Sequence, residues 1–250
     1  MSNGKTIPCL LTCEQTDGTT VEVVAKFSVG CERGVTSLAI EAIGACLAGD
    51  LGLPIPQPFI VNASSDFIDS VPDAAQQQRM RSSCPLAFGS KHVTGQYTVW
   101  TTGTLISEIM RQYAAAILTF DGIIQNADRR DQNPNCLIKG DEIRIFDHEL
   151  SFPAGPLLGW RPPWVTGGLD VLTQPGYHIF RSGLKGRVID FDPIRSAWVS
   201  LTDARISSYS SILPAEWDVA NNAVATALQL IKDARDNIDA CIVEIERVLT

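Results

Sequence analysis

The run Asp128-Arg129-Arg130-Asp131-Gln132-Asn133-Pro134-Asn135, followed after a short hairpin by Phe146-Asp147-His148-Glu149, decides how this chain is read. It brings Asp128, the carboxamides of Asn133 and Asn135, and Asp147 within about twenty residues. These are hard oxygen donors, the type that holds a divalent cation and its phosphates. The stretch is polar and short, yet it lies between apolar elements.

The hairpin gives these residues a geometry. Residues 136–139 (Cys-Leu-Ile-Lys) and 142–146 (Glu-Ile-Arg-Ile-Phe) read as two strands joined at Gly140-Asp141. A hairpin returns the chain to where it started. Asn133 and Asn135 precede the first strand and Asp147 follows the second, so the two ends converge. Asp128 stands at the tip of a loop leaving an apolar helix. In one pocket, Asp147 can hold magnesium, the Asn133 oxygen can complete the shell, and Asp128 can orient a hydroxyl and receive its proton. Taken singly, each residue also reads as turn chemistry, since Asn, Asp and Pro favour turns.

Outward from this segment, residues 105–124 form the clearest helix. Ile106, Met110, Ala114, Ile117, Phe120, Ile123 and Ile124 recur at helical period. Upstream, residues 7–13 and 20–28 read as a hairpin turning at Asp17-Gly18. In Val21-Glu22-Val23-Val24-Ala25-Lys26-Phe27, alternation places Lys26 on the face of Glu22 and Val24, opposite Ala25 and Phe27. Thr36 or Ser37 is expected to cap a helix running to about Ala48, followed by an extended segment at Phe59-Ile60-Val61. Residues 62–85 read as loop plus a short exposed helix, and 86–100 as mixed strand and loop. Residues 150–200 are rich in Gly, Pro and Trp and resist assignment. From Glu216 to Leu249 the pattern is again helical, with Ile231, Ala234, Ile238, Cys241, Ile245 and Val248 on one face.

Whole-chain properties set the class. In 250 residues, 45% hydrophobic and 19% charged content describe a globular protein with a real core. The net charge of -8 argues against direct nucleic-acid binding, which needs a basic face. Residues 1–6 lack signal-peptide character and no apolar run is long enough for a membrane span, so a cytoplasmic protein is expected, with no membrane partner. Seven scattered cysteines suit reduced thiols. Cys9 and Cys13 have no second pair at zinc-site spacing.

The two polar motifs resemble the catalytic and metal-binding loops of the protein-kinase-like fold, and in detail those of the HipA-like kinases. Those kinases carry an Asp-Arg-x3-Asn-Pro-Asn loop and an Ile-Asp-His-type metal motif; here they read 128–135 and Ile145-Phe146-Asp147-His148-Glu149. Phosphoinositide kinases share Asp-Arg-His-x2-Asn. Upstream, Val23-Val24-Ala25-Lys26 is similar to the strand lysine that contacts ATP phosphates, and Glu41 to the helix glutamate that holds it.

The resemblance implies an α+β fold of two lobes forming one kinase-like domain. A β-rich N-lobe with one helix would span 1–95, and a mostly helical C-lobe 96–250. It implies ATP and Mg2+ as cofactors. Lys26, Glu41 and Asn133 would serve the nucleotide, Asn133 and Asp147 the metal, and Asp128 would be the catalytic base. The implied acceptor is a Ser or Thr hydroxyl of a protein, with a small molecule or lipid head group as the alternative, and an antitoxin or regulatory protein as partner. A non-catalytic nucleotide-binding or partner-binding module is the other reading.

There are departures. No Gly-x-Gly-x-x-Gly precedes Lys26, and Gly18 is the glycine nearest that position. The metal motif is Asp-His-Glu rather than Asp-Phe-Gly. His148 reads equally as a phosphate or acid contact and as a packed ring. One of Arg129 and Arg130 is expected to pair with Asp131 or Glu149 at the surface.

Overall fold

The computed structural model describes residues 7–152 and 159–250. Residues 1–6, read above for targeting signals, lie outside the described residues, as do 153–158 of the Gly/Pro/Trp stretch. Strands β1 (Cys9–Glu14) and β2 (Thr20–Lys26) form the expected hairpin, with Cys9 opposite Ala25 and Glu14 opposite Thr20. Its turn is locked by Asp17 Oδ1, which accepts from the Thr19 N–H at 2.9 Å and the Thr19 hydroxyl at 2.6 Å.

Strands β3 (Pro58–Asn62) and β4 (Leu86–Lys91) complete an antiparallel sheet in the order β1-β2-β4-β3. Period-two alternation divides β2 between two environments. Val23 and Ala25, with Phe27 just beyond the strand, enter a small core with Cys9, Val61, Met80 and Ala87. Lys26 faces the other way, across the sheet from Phe88, which belongs to the large core.

Helix α1 (Val35–Asp50) crosses that second face. It starts at Gly34 with no side-chain cap. The expected cap residue Ser37 lies inside the first turn, fully buried, and its hydroxyl accepts from the Arg33 N–H at 3.2 Å. The helix is buried on nearly every side because the sheet covers one flank and C-terminal helices the other. Glu41 is thereby taken out of water, 3% exposed.

The polar stretch 62–85 holds two helices rather than one. They are α2 (Ser65–Ser70), capped by Ser64, and α3 (Ala74–Ser82), capped by Asp73. The described residues up to 95 therefore carry three helices, where the kinase-like N-lobe was expected to have one. Met80 of α3 anchors into the small core.

Next come β5 (Thr98–Val99) and α4 (Glu108–Ile124), whose Ser107 cap accepts from the Met110 N–H. The apolar stripe of α4 is buried as its period requires. Strands β6 (Cys136–Lys139) and β7 (Glu142–Ile145) form the second hairpin, and with β5 a three-stranded sheet. The unassigned region contains a 3-10 turn (Asp170–Thr173), α5 (Arg181–Leu184) and α6 (Asp192–Val199).

Helix α7 (Asp203–Ser211) precedes a second 3-10 turn (Ala215–Ala220). The C-terminal helical pattern is split at Asn237 into α8 (Asn221–Asp236) and α9 (Ile238–Leu249). All seven cysteines carry free thiols. Among the described residues no helix is long and apolar enough to cross a membrane.

Candidate active site

Lys26 is the hub of a buried ionic cluster. Its Nζ lies 2.6 Å from Asp147 Oδ1 and 3.2 Å from both Glu41 Oε2 and Glu149 Oε2. Three segments distant in sequence thus meet at one ammonium: β2, α1 and the loop after β7. Burial alone would push the Lys26 ammonium toward neutrality. Glu41, Asp147 and Glu149 outweigh it and hold the group well above the ordinary lysine value. Glu41 responds in the opposite sense. Burial would raise its carboxyl, but Lys26 and His148 hold it well below the usual range.

Asp147 has a positive φ of 65°, a left-handed backbone uncommon for a non-glycine residue. The loop is fixed on both sides of it. The Phe146 N–H donates to the Asn135 carbonyl at 3.2 Å, which closes the β6–β7 hairpin and joins the two polar motifs. The His148 N–H donates to Glu41 Oε2 at 2.7 Å. The His148 ring is buried, edge-on to Phe120 at 5.5 Å, with Nδ1 3.6 Å from Glu41 Oε1.

Asp128 is the centre of the other motif. Its Oδ2 accepts from Asn133 Nδ2 at 2.7 Å and from Asn135 Nδ2 at 3.3 Å. Arg130 approaches Oδ1 at 3.3 Å. Asn133 thus turns its amide nitrogen to Asp128, which leaves its oxygen as the atom able to accept a hydrogen bond or ligate a metal ion. Asn135 is buried, has a φ of 43°, and shapes the loop from within.

One of Arg129 and Arg130 was expected to pair at the surface with Asp131 or Glu149; Arg129 instead meets Asp121 and Arg130 meets Asp128. Arg129 is fully buried, with Nε 2.6 Å from Asp121 Oδ2 on α4. One terminal nitrogen, Nη1, donates to the carbonyls of Asn135 and Phe146. A planar guanidinium with five N–H groups can serve a carboxylate and two carbonyls together. It ties the Asp128 loop to the residue before Asp147.

Asp121 also accepts from Asn126 Nδ2 at 2.8 Å and meets His178 Nε2 at 3.1 Å. His178 Nδ1 accepts from the Phe180 N–H, so Nε2 carries the proton given to Asp121. Neither Asp121 nor His178 was singled out from the sequence. The signal for Asp121 was available: an acid inside the apolar run 117–124 must find a buried partner.

A model of the HipA-like kinase family matches residues 1–156, more than half of the chain. The chain belongs to the HipA-like kinase family. A search of curated proteins finds no match. The family supports phosphotransferase activity of the kinase type and implies ATP and a divalent metal ion. The matched span contains both polar motifs and Lys26 with its three acids.

The donor chemistry of this HipA-like kinase fits such an ion. The carboxylates of Glu41, Asp147 and Glu149 each offer an oxygen within 4.8 Å of the others. The three acids share the Lys26 ammonium, with the Arg33 guanidinium also close to Glu149, and present hard oxygens of the kind such an ion takes. Asp147 is the most open of the three, its side chain 23% exposed against 4% for Glu41 and 8% for Glu149.

Proposed function

We propose that this chain transfers the γ-phosphoryl group of ATP to a hydroxyl acceptor, a Ser or Thr of a protein. The observation that carries the reading is the single ammonium of Lys26 held between Glu41 of α1 and Asp147 beyond the hairpin. Phosphoryl transfer is mostly positioning and charge stabilisation, so a fixed cation beside an accessible acid is the arrangement it needs. ATP would lie in a cleft between a β-rich lobe, roughly 1–95, and a mostly helical lobe, 96–250.

Lys26, aimed by Glu41, binds the α/β-phosphates. Asn133 and Asp147 hold Mg2+, which when bound neutralises charge on the phosphate oxygens. Asp128 orients the acceptor hydroxyl and takes its proton. Asn133 and Asn135 donate to one Asp128 oxygen and keep the carboxylate from rotating. A regulatory protein of the antitoxin type is the proposed partner, and the cytoplasm the proposed location.

The test is incubation with labelled ATP and Mg2+, read by mass spectrometry of the chain and of candidate acceptors. Phosphorylated Ser or Thr is expected in the wild type. Asp128→Ala and Asp147→Ala are each expected to abolish transfer while leaving the fold intact. Transfer that survives both substitutions would sink the mechanism. Phosphate appearing only on a small molecule or lipid would move the acceptor class.

A further inference from the structure

Lys26 has two buried glutamates as neighbours, not one. Glu41 and Glu149 each place Oε2 3.2 Å from its Nζ, and they come from different segments, α1 and the loop after β7. The Glu149 segment is itself held. The Arg33 guanidinium donates to the Glu149 carbonyl and, at 3.2 Å, to that of Ser151. The Ser151 N–H closes a turn on the His148 carbonyl at 3.0 Å. Arg33 stands in the turn that opens α1, so the helix carrying Glu41 also anchors the loop carrying Glu149.

We propose that Glu149 is a positioning residue for Lys26, a second brace that shares with Glu41 the aiming of the ammonium at the nucleotide phosphates. The inference rests on the kinase reading above. A lysine head is a compact charge on a flexible stem. One carboxylate fixes its direction, whereas two from separate segments fix its position. Asp147, the third contact, is the acid reserved for the metal. Once its carboxylate turns to the ion, Lys26 still has two partners. This gives a role to the acid in Asp147-His148-Glu149, where the protein-kinase motif has glycine.

The experiment uses the full chain with Glu41→Gln, Glu149→Gln and the double variant. It measures KM and kcat for ATP, Mg2+-ATP binding by calorimetry, and thermal melting to verify folding. Each single variant is expected to raise KM for ATP about threefold. The double is expected to raise it roughly a hundredfold, some tenfold beyond the product, as for two groups sharing one partner. The change in kcat is expected to be smaller, and Glu149→Asp to recover part of the loss.

Effects that simply multiply would overturn the brace, as would a neutral Glu149→Gln in both backgrounds. A wild-type chain that fails to bind ATP would overturn the kinase reading together with it. If the double variant does not fold, Glu41→Asp with Glu149→Asp, which keeps both charges, carries the same comparison.

Discussion

Arg129 Nε donates to Asp121 Oδ2 across 2.6 Å, and neither side chain reaches solvent. The pair links the end of α4 to the loop that presents Asp128. Through the Asn135 and Phe146 carbonyls it also reaches the base of the Asp147 loop. A buried charge left without its partner is costly, more so than the intact pair is stabilising. Arg129→Met is therefore expected to lower the unfolding free energy by about 3–5 kcal/mol, measured by urea denaturation. Adding Asp121→Asn should restore part of it. A loss no larger than that of a surface ion pair would show that the network is not holding the loops.

Acid should weaken the fold through two identified carboxyls. Burial would raise Asp121, but Arg129 and His178 hold it well below the usual range, and Lys26 and His148 do the same for Glu41. A carboxyl depressed in the folded state contributes stability that is complete above its unfolded pKa, roughly 4. That contribution is lost as pH falls toward the folded value. The melting temperature is expected to owe no change to these groups between pH 7 and about 5, and to drop below about 4. Asp121→Asn should melt lower at pH 7 and show a shallower acid slope. Lys26, raised in the folded state, contributes in full below about pH 10.4, its unfolded value, and loses that contribution only in more alkaline solution.

Removing the cation from the Lys26 cage should make the protein ask for another. Lys26→Met leaves Glu41, Asp147 and Glu149 facing one another with no ammonium between them. The metal-free variant is expected to lose about 3–5 kcal/mol of stability. Millimolar Mg2+ or Mn2+ should then raise its melting temperature by more than it raises that of the wild type, since a ligand bound only by the folded state stabilises it. Equal shifts in both proteins would mean that the three acids do not form a cation site.

Much of this arrangement was legible because it is local. The alternation of β2 put Lys26 opposite Ala25 and Phe27, and the structure places those two in the small core. The β6–β7 hairpin brought Asn135 to Phe146 because hairpins close on themselves. In 62–85 the reading of loop plus one short exposed helix missed a second helix, although Ser64 and Asp73 are cap-type residues at the starts of α2 and α3.

What stayed hidden depends on contacts between distant segments. Arg129 and Arg130 read alike, one of them as a surface pair, because nothing nearby in sequence reveals that Asp121 lies one helical end away and His178 closes the site from a stretch without periodicity. The contact of Glu149 with Lys26 spans 123 positions and leaves no pattern in either neighbourhood.

Gly44 tests how tightly α1 presses on the Asp147 loop. Alanine inside a helix is usually better than glycine by about 1 kcal/mol. At position 44 a Cβ would meet His148 Cβ at 2.7 Å, too close without movement. His148 Cβ cannot swing aside, because its own backbone N–H is bound to Glu41 Oε2. The shift must fall on the backbone between Asp147 and Glu149. Gly44→Ala is thus expected to destabilise by about 1–3 kcal/mol, as overpacking does, and to raise KM for ATP. Gly49, in the same helix, is the control, since a Cβ there makes only an ordinary contact with Ile55 at 3.7 Å. Gly49→Ala should be neutral or stabilising in the same melting experiment. If the two variants behave alike, the close approach of α1 does not set the position of the Asp147 loop.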